Sequence, residues 1–438
     1  MMKRIAAVTA GIAMLVGVVS ADDERRHGSI PRLDHVFVIV MENHGFQQII
    51  DNPNEPYLNR LIKKGKVNLA TNYFAIGHPS LTNYLEIVGG SNFGVRSDND
   101  PAWHDANCQP NLITGIVNAD NAGGQTAIPV DSGNICPIDG IGQDAETPAV
   151  DNWNEIEPEF PFLADIDGVK SVPASKHIVG RTIADQLVDA GLTWKSYQES
   201  LPLSGANGVN YSNGTASNLT DFTNLAPLTS DNVLKAYAAK HNPFVYFRTV
   251  QEGWPWTNGL QNVVGFDGRR GLYEDLATGN VPSLAFIAPN QCNDQHGRGN
   301  GDAFCGFDFG DASGLTAGTQ VGLNPGLIQQ GDVTLERLVS SIKASPVWRE
   351  GRTAIVIVWD ENDYSGIGST PNGLFPPQNQ NKVVLTLEMN RDFEGGVKSN
   401  TYYNSFSLLR TLEEAFGLPC LNHACDRGIS AMSDLFAR

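Results

Sequence analysis

The chain has 438 residues, of which 41% are hydrophobic, so it is long enough to bury a large core. Its formal net charge is −18, and loss of the two positive charges of Lys3 and Arg4 with an N-terminal leader would make it −20. A surface this acidic repels nucleic acids and anionic membranes, so neither is expected as a partner.

The first 21 residues have the organisation of a secretory signal peptide. Lys3 and Arg4 precede an apolar run from Ile5 to Val19, and small residues lead to a cleavage site after Ala21. A membrane anchor is the alternative, but the run is short for a span. We therefore expect a secreted or periplasmic protein without a stable membrane anchor. Residues 22–438 show no linker-like composition and are interpreted as one domain.

Strand and helix patterns alternate along the rest of the chain. The predicted strands are 36–40, 67–73, 192–197, 244–247, 282–288, 354–359 and 383–387. The predicted helices are 57–64, 81–88, 182–190, 231–240, 272–277, 332–344 and 406–416. Before the helix at 332–344 we expect a loop over 323–331, with Asp332 as the helix cap. The alternation predicts an α/β fold with a mostly parallel central sheet and helices on both faces.

Residues 98–175 interrupt this alternation with a long segment rich in Gly, Pro, Asn and Asp. So long an irregular segment is usually functional, and we interpret it as an insertion over the mouth of a site. The six cysteines suit export. Pairing neighbours in sequence gives Cys108–Cys136, Cys292–Cys305 and Cys420–Cys425, although fifteen connectivities are open. A zinc cluster is the alternative, but no CxxC spacing supports it.

Acidic and amide side chains follow two of the predicted strands directly. Glu42 and Asn43 come after the buried run Val36–Val40, and Asp360 and Glu361 come after a second apolar strand. We call the residues that directly follow a strand its tip. Either of these two tips alone would be interpreted as a turn or a helix cap. Because open α/β sheets bind ligands outside the carboxyl ends of their strands, the two tips together predict a divalent metal site.

Ser80 is the next candidate, because Pro79 breaks regular structure just before it and a helix follows. Backbone amides at a helix start favour negative charge, which suits an alkoxide nucleophile or a bound phosphate. An ordinary serine cap is the alternative. A third crowded loop, Pro289–His296, follows another apolar strand and offers Asp294 and His296 as metal ligands, or alternatively a polar turn.

Several short runs occur together and in a recognisable order. They are Glu42-Asn43, His78–Leu85 (HPS-x-x-N-Y-L), His241–Phe247 (HNPFVYF), Pro289–His296 (PN-x-C-N-D-x-H), Trp359–Glu361 (WDE) and Ser407–Glu413 (SLLRT-x-E). Together they resemble a bacterial secreted phosphoesterase family of acid phosphatases and phosphocholine-type phospholipases C, within the alkaline-phosphatase-like superfamily. The resemblance covers nearly all of residues 22–438.

The resemblance implies an alkaline-phosphatase-like three-layer α/β sandwich and a hydrolase of phosphoric esters. It makes Ser80 the nucleophile, which forms a phosphoryl-serine, and Asn83 the holder of a phosphoryl oxygen. The implied metal ligands are Glu42, Asn43, Asp360 and Glu361, with Asp294 and His296 as further ligands or an acid near the leaving group.

The metal is expected to be Ca²⁺, Mg²⁺ or Mn²⁺, because the ligands are mostly oxygen, while His296 leaves Zn²⁺ or iron open. Ser405 stands where relatives often have a histidine, so we expect one well-formed metal site instead of a conventional pair.

Two other functions stay open from the sequence. One is a phospholipase C acting on a phospholipid head group instead of a small phosphoester, with aromatic residues of the insertion as an apolar rim: Trp103, Trp153, Phe160 and Phe162. The other is a non-catalytic secreted binding protein on the same fold. The sequence does not indicate an oligomeric state.

Overall fold

The computed structural model describes residues 30–77, 80–93, 178–201, 237–253, 255–297, 324–362 and 382–436. The predicted signal peptide and the predicted insertion at 98–175 lie outside these residues, as do Cys108, Cys136 and Cys305. Their predictions therefore stay predictions. Within the described ranges no helix is both long and apolar enough to cross a membrane.

A single sheet runs through the described residues. Its strands are β1 His35–Met41, β2 Asn68–Phe74, β3 Trp194–Gln198, β4 Val263–Gly265, β5 Leu284–Ala288, β6 Thr353–Trp359, β7 Lys382–Met389, β8 Lys398–Ser399 and β9 Tyr403–Asn404. The order across the sheet is β4-β3-β5-β1-β6-β7-β2-β8, and β9 also pairs with β2. Among the described strands only β7 runs antiparallel to its neighbours.

The central strands β5, β1 and β6 are parallel to one another and almost completely buried. Their sequences are continuous apolar runs rich in β-branched residues, which is typical of strands covered on both faces. The α/β class with a mostly parallel central sheet is therefore confirmed.

Helices cover the sheet in two groups. The bounds are α1 Phe46–Ile49, α2 Pro56–Lys63, α3 Ser80–Gly89, α4 Ile183–Asp189, α5 Arg248–Glu252, α6 Leu272–Thr278, α7 Pro325–Ala344, α8 Pro346–Glu350 and α9 Ser405–Phe416. Helices α2, α6, α7 and α8 pack among themselves, and α3, α4 and α9 form the other group. Helix α9 ends where Gly417 adopts the left-handed conformation, with φ of 64°, as the glycine in the sequence indicates.

The segment Phe244–Phe247 is not the predicted strand. Residues Pro243–Tyr246 form a buried 3₁₀ turn, and only Phe247 makes an isolated bridge, to Ile178. A short apolar run has no periodicity that separates a strand from a helical turn. Pro243 has the fixed φ that suits the first position of a helix, and this signal favoured the turn.

The predicted loop at Leu323–Gly331 is also wrong, because α7 already begins at Pro325. Its cap is Asn324, whose Oδ1 accepts from the backbone amides of Gly326 and Leu327 at 3.0 and 3.3 Å. Asp332 lies inside α7 and caps another helix instead. Its two carboxylate oxygens accept from the first amides of α2 at 2.7 and 3.0 Å.

The cysteine prediction can be tested at two places. Cys420 and Cys425 form a disulfide, which confirms that pairing. Cys292 is also disulfide-bonded, and its partner lies outside the described residues.

Candidate functional site

The site lies at the edge of the sheet where the parallel central strands end. Glu42–Asn43 follows β1, Asp360–Glu361 follows β6, and the loop Asn290–His296 follows β5. The register that pairs Met41 with Trp359 places the first two tips side by side. A backbone hydrogen bond of 2.8 Å from the Glu42 amide to the Asp294 carbonyl brings in the third tip.

Ser80 lies against both acidic tips. It is the first residue of α3 and is completely buried. Its Oγ lies 3.1 Å from Glu42 Oε2, 3.1 Å from Glu361 Oε1 and 3.5 Å from Asn43 Oδ1. The hydroxyl has one proton, so it donates to one of these oxygens at a time. We call Glu42, Asn43, Ser80, Asp360 and Glu361 the oxygen cluster.

Asn83 lies one turn further along α3 on the same side of the helix. Its Oδ1 accepts from the backbone amides of Ile76 and Gly77 at 3.1 and 3.0 Å. Its Nδ2 donates to Gly77 O at 2.8 Å and to Glu361 Oε2 at 3.2 Å. In this arrangement Asn83 fixes the turn before the nucleophile candidate. To hold a phosphoryl oxygen, as predicted, Asn83 Nδ2 would give up its hydrogen bond to Glu361 and donate to the phosphoryl oxygen instead.

The second oxygen of Glu42 faces a different set of partners. Glu42 Oε1 accepts from the Tyr84 hydroxyl at 2.5 Å and lies 3.2 Å from His241 Nε2. His241 stacks on the Tyr84 ring with a centroid distance of 5.3 Å, and its Nδ1 lies 3.3 Å from Asp294 Oδ2. The imidazole of His241 thus bridges two buried carboxylates.

His296 completes this second set. One ligand atom from each of Glu42, His241 and His296 can be chosen so that the three lie within 4.8 Å of one another, a separation that allows a shared metal ion. His296 Nε2 also lies 3.1 Å from the ammonium of Lys240. We call Glu42, Lys240, His241, Asp294 and His296 the histidine cluster.

The carboxyl groups of both clusters are held in an unfavourable environment for charge. Burial raises the pKa of Glu42, of Asp294 and of Asp360 well above their ordinary values. Repulsion from Asp360 raises the pKa of Glu42 further, and repulsion from Glu361 does the same for Asp360. Buried carboxylates that repel one another are stable as anions only beside a cation.

The oxygen cluster fits a divalent cation on two observations. Asp360 Oδ2 is buried and has no hydrogen-bond partner among the described residues, although a buried carboxylate oxygen normally has one. The ligands that the cluster offers are carboxylate, amide and hydroxyl oxygens, which hard divalent cations prefer. Glu42, Asn43, Asp360 and Glu361 could therefore hold such an ion beside Ser80.

Gln295 connects the loop after β5 to the end of β6 and to helix α7. Gln295 lies between Asp294 and His296, is fully buried, and has a left-handed backbone with φ of 81°. Its Oε1 accepts from Trp359 Nε1 at 3.0 Å, and its Nε2 donates to Glu55 Oε2 at 2.6 Å and to Ile328 O at 3.0 Å. The loop after β5 is thereby fastened to the last residue of β6 and to helix α7.

All eight residues singled out from the sequence lie at this edge of the sheet: Glu42, Asn43, Ser80, Asn83, Asp294, His296, Asp360 and Glu361. Their chemical roles stay predictions. Sequence reasoning missed His241, Lys240 and Tyr84. His241 begins the HNPFVYF run and Tyr84 lies in the HPS-x-x-N-Y-L run, so both had a usable signal, whereas Lys240 lies in neither run.

Comparison with solved structures finds remote similarities. A protein of the alkaline phosphatase superfamily from Vibrio parahaemolyticus matches with a TM-score of 0.41 and 12% identity, over 90% of this chain and 69% of that one. The lipoteichoic acid synthase LtaP from Listeria monocytogenes matches with a TM-score of 0.41 and 9% identity, over 94% and 77% of the two chains.

Sequence relatives are nearer. An acid phosphatase of Aspergillus fumigatus is 25% identical over 59% of this chain, and a phosphate-repressible acid phosphatase of Penicillium chrysogenum is 24% identical over 89%. These alignments span only 36% and 60% of the relatives' own lengths. A phosphatidylinositol-3-phosphatase of Mycobacterium tuberculosis is 22% identical over 90% of this chain and 81% of that protein.

A family model provides the broader assignment. The model of the Phosphoesterase family matches residues 50–304, more than half of the chain. This range contains Ser80, His241 and the loop after β5, whereas the tips of β1 and β6 lie outside it. The chain therefore belongs to the Phosphoesterase family.

Proposed function

We propose that this protein is an exported, metal-dependent hydrolase of phosphoric monoesters that acts through a phosphoryl-serine on Ser80. The observation that carries the proposal is the position of the Ser80 hydroxyl, 3.1 Å from a carboxylate oxygen of each acidic tip and at the start of α3. Membership of the Phosphoesterase family supports the reaction class. The phosphatase names of the relatives favour monoesters over diesters.

The chain's own residues account for the steps of the reaction. Ser80 Oγ attacks phosphorus, and its proton passes to Glu42 or Glu361, whose oxygens lie within hydrogen-bond distance. The O–P bond to Ser80 forms as the bond from phosphorus to the ester oxygen breaks. Amides at the start of α3 and Asn83 Nδ2 hold the phosphoryl oxygens. Water then attacks phosphorus, the bond from phosphorus to Ser80 Oγ breaks, phosphate leaves, and Ser80 regains its proton from the glutamate that had accepted it.

A divalent ion held by Glu42, Asn43, Asp360 and Glu361 would lower the pKa of the Ser80 hydroxyl and neutralise charge on the phosphoryl oxygens. Its oxygen ligands favour Ca²⁺, Mg²⁺ or Mn²⁺. The leaving oxygen needs a proton, and His296 is the candidate acid from the sequence. To serve in that way, His296 would carry a proton on Nε2, the atom that now contacts Lys240.

The decisive experiment combines metal content with turnover. Purified protein is analysed for metals by mass spectrometry and assayed with p-nitrophenyl phosphate before and after chelation. We expect activity to be lost on chelation and restored by one cation. Ser80→Ala should lower kcat/KM by about 10³-fold or more. Ser407→Ala, which changes a buried serine on α9, is the matched control and should stay active.

Trapping the intermediate tests the mechanism separately. After acid quench, the peptide that contains Ser80 should carry one phosphoryl group, and the Ser80→Ala protein should carry none. If the wild type contains no metal and shows no turnover, even when divalent cations are supplied, the non-catalytic binding protein would be favoured. A preference for p-nitrophenyl phosphocholine would favour the phospholipase C, whose predicted aromatic rim lies outside the described residues.

Export and substrate class belong to the same proposal. N-terminal sequencing of the protein secreted by an expressing host should begin at Asp22. Phosphatidylinositol 3-phosphate is the first natural substrate to assay, because the mycobacterial relative is named for it. Release of phosphate from a soluble phosphomonoester, but not from this lipid, would restrict the substrate to small phosphoesters.

A further inference from the structure

A lysine is buried inside the histidine cluster. Lys240 is only 1% exposed, and its Nζ lies 3.1 Å from His296 Nε2. Lysine is among the residues that are almost never fully buried unless something compensates the charge. Its burial next to a histidine and several carboxylates therefore calls for an electrostatic explanation.

The neighbouring carboxyl groups provide that explanation. Glu42, Asp294 and Asp360 are buried acids in or beside this cluster, and the positive charge of Lys240 attracts all three. Together with Glu361, these acids would carry four negative charges. A single divalent ion would neutralise two of these charges, and the Lys240 ammonium would neutralise a third.

The tautomer of His296 shows that Lys240 and a metal ion would compete for the same atom, Nε2. His296 Nδ1 lies 2.8 Å from Gly297 O, and a carbonyl oxygen can only accept, so Nδ1 carries the proton. In a neutral imidazole Nε2 then carries a lone pair instead of a proton, and this lone pair faces the ammonium of Lys240. One lone pair can accept from the ammonium or bind a metal ion, but cannot do both.

We propose that Lys240 is a tethered cation that takes the place of a second metal ion in the histidine cluster. Glu42 is shared by the two clusters, with Oε2 toward Ser80 and Oε1 toward His241. The chain then carries a metal ion on one side of Glu42 and an ammonium on the other. The ion of the oxygen cluster rests on the proposed function, whereas the role of Lys240 can be measured without it.

The experiment counts zinc ions, because Zn²⁺ prefers the imidazole nitrogens of the histidine cluster. Wild type and Lys240→Met are equilibrated with excess Zn²⁺, freed of unbound ion and analysed by mass spectrometry. We expect Lys240→Met to hold about one Zn²⁺ per chain more than wild type. The gain should disappear in Lys240→Met with His296→Ala, and Lys240→Arg should show no gain.

Lys195→Met is the matched control, because Lys195 is the other described lysine that is buried beside a carboxylate, that of Asp275. Its loss should add no zinc. Turnover gives a second readout: Lys240→Met should lose at least about tenfold in kcat at low Zn²⁺ and regain part of it as Zn²⁺ fills the vacated position.

Equal zinc content in wild type and folded Lys240→Met would overturn the proposal. The proposal would also be overturned if the wild type binds one Zn²⁺ that is lost in His296→Ala. This comparison does not depend on whether a Lys240 variant folds. The zinc difference between variant and wild type tests Lys240 alone. Absence of both metal and turnover in wild type would instead contradict the proposed function, and a zinc gain in Lys240→Met would still support the tethered cation.

Discussion

Gly331→Ala should destabilise this protein, although alanine is ordinarily the better residue in a helix. Gly331 lies inside α7, where the same change would usually stabilise a fold by about 1 kcal/mol. Here a Cβ at position 331 would lie 2.7 Å from Gln295 Nε2 and 2.8 Å from its Cδ, and closer still to its Cγ. Gln295 must therefore move if the methyl group is to fit.

The expected size of the effect follows from the hydrogen bonds that Gln295 makes. Its amide has three buried bonds, to Trp359, Glu55 and Ile328. A buried polar group left without its partner costs about 1–3 kcal/mol. If the methyl breaks two of these bonds, about 2–6 kcal/mol is lost against a gain of about 1 kcal/mol, so we expect a net loss of about 1–5 kcal/mol.

Urea unfolding, followed by circular dichroism, measures this change, with exposed Ser340→Ala of the same helix as the control. A double-mutant cycle makes the assay specific. In a Gln295→Ala background the obstacle is gone, and Gly331→Ala should stabilise the fold by about 1 kcal/mol. If Gly331→Ala stabilises the wild type by the same amount, the contact with Gln295 does not constrain the helix and the reasoning fails.

The same clash has a functional consequence. Gln295 stands between Asp294 and His296, so its displacement moves both side chains relative to the tips of β1 and β6. Gly331→Ala should therefore lower kcat/KM for p-nitrophenyl phosphate about 10–100-fold, even under conditions where the variant is fully folded. Unchanged kinetics would show that the loop does not need this anchor.

Variants at three further positions test other contacts. Asp332→Ala removes the cap of α2 and should cost about 1–3 kcal/mol in urea unfolding, more than Asp332→Asn, which keeps one acceptor. Burial raises the pKa of Glu413 to about 8, so the stability of the wild type should fall as pH rises from about 4.5 to about 8. Glu413→Gln should remove the part of that fall that comes from Glu413, so the variant gains at most about 5 kcal/mol over the wild type at pH 8 and none at pH 4.5; equal curves would contradict the raised pKa. Tyr84→Phe removes the hydrogen bond to Glu42 and should weaken metal binding about 10–100-fold in a competition titration, whereas unchanged affinity would exclude a role for the hydroxyl.

Local sequence patterns were reliable for long segments made almost entirely of apolar residues. The apolar β1 and β6 strands were predicted almost to the residue, because continuous β-branched runs suit strands buried on both faces. The same patterns failed at Phe244–Phe247 and at the start of α7. A short apolar run does not distinguish strand from helical turn, and Asp332 was assigned to the nearest helix end instead of to α2.

For the site, the sequence by itself determined at which edge of the sheet the candidate residues lie. Side chains that follow parallel strands must meet at the carboxyl edge, so Glu42, Asp360 and Asp294 could be grouped from their positions alone. Only the tertiary structure decided that Lys240 and His241 join them. Neither residue follows a strand in the part of the chain that the structure describes. Each reaches the site through contacts with residues distant in the chain, about which a local pattern contains no information.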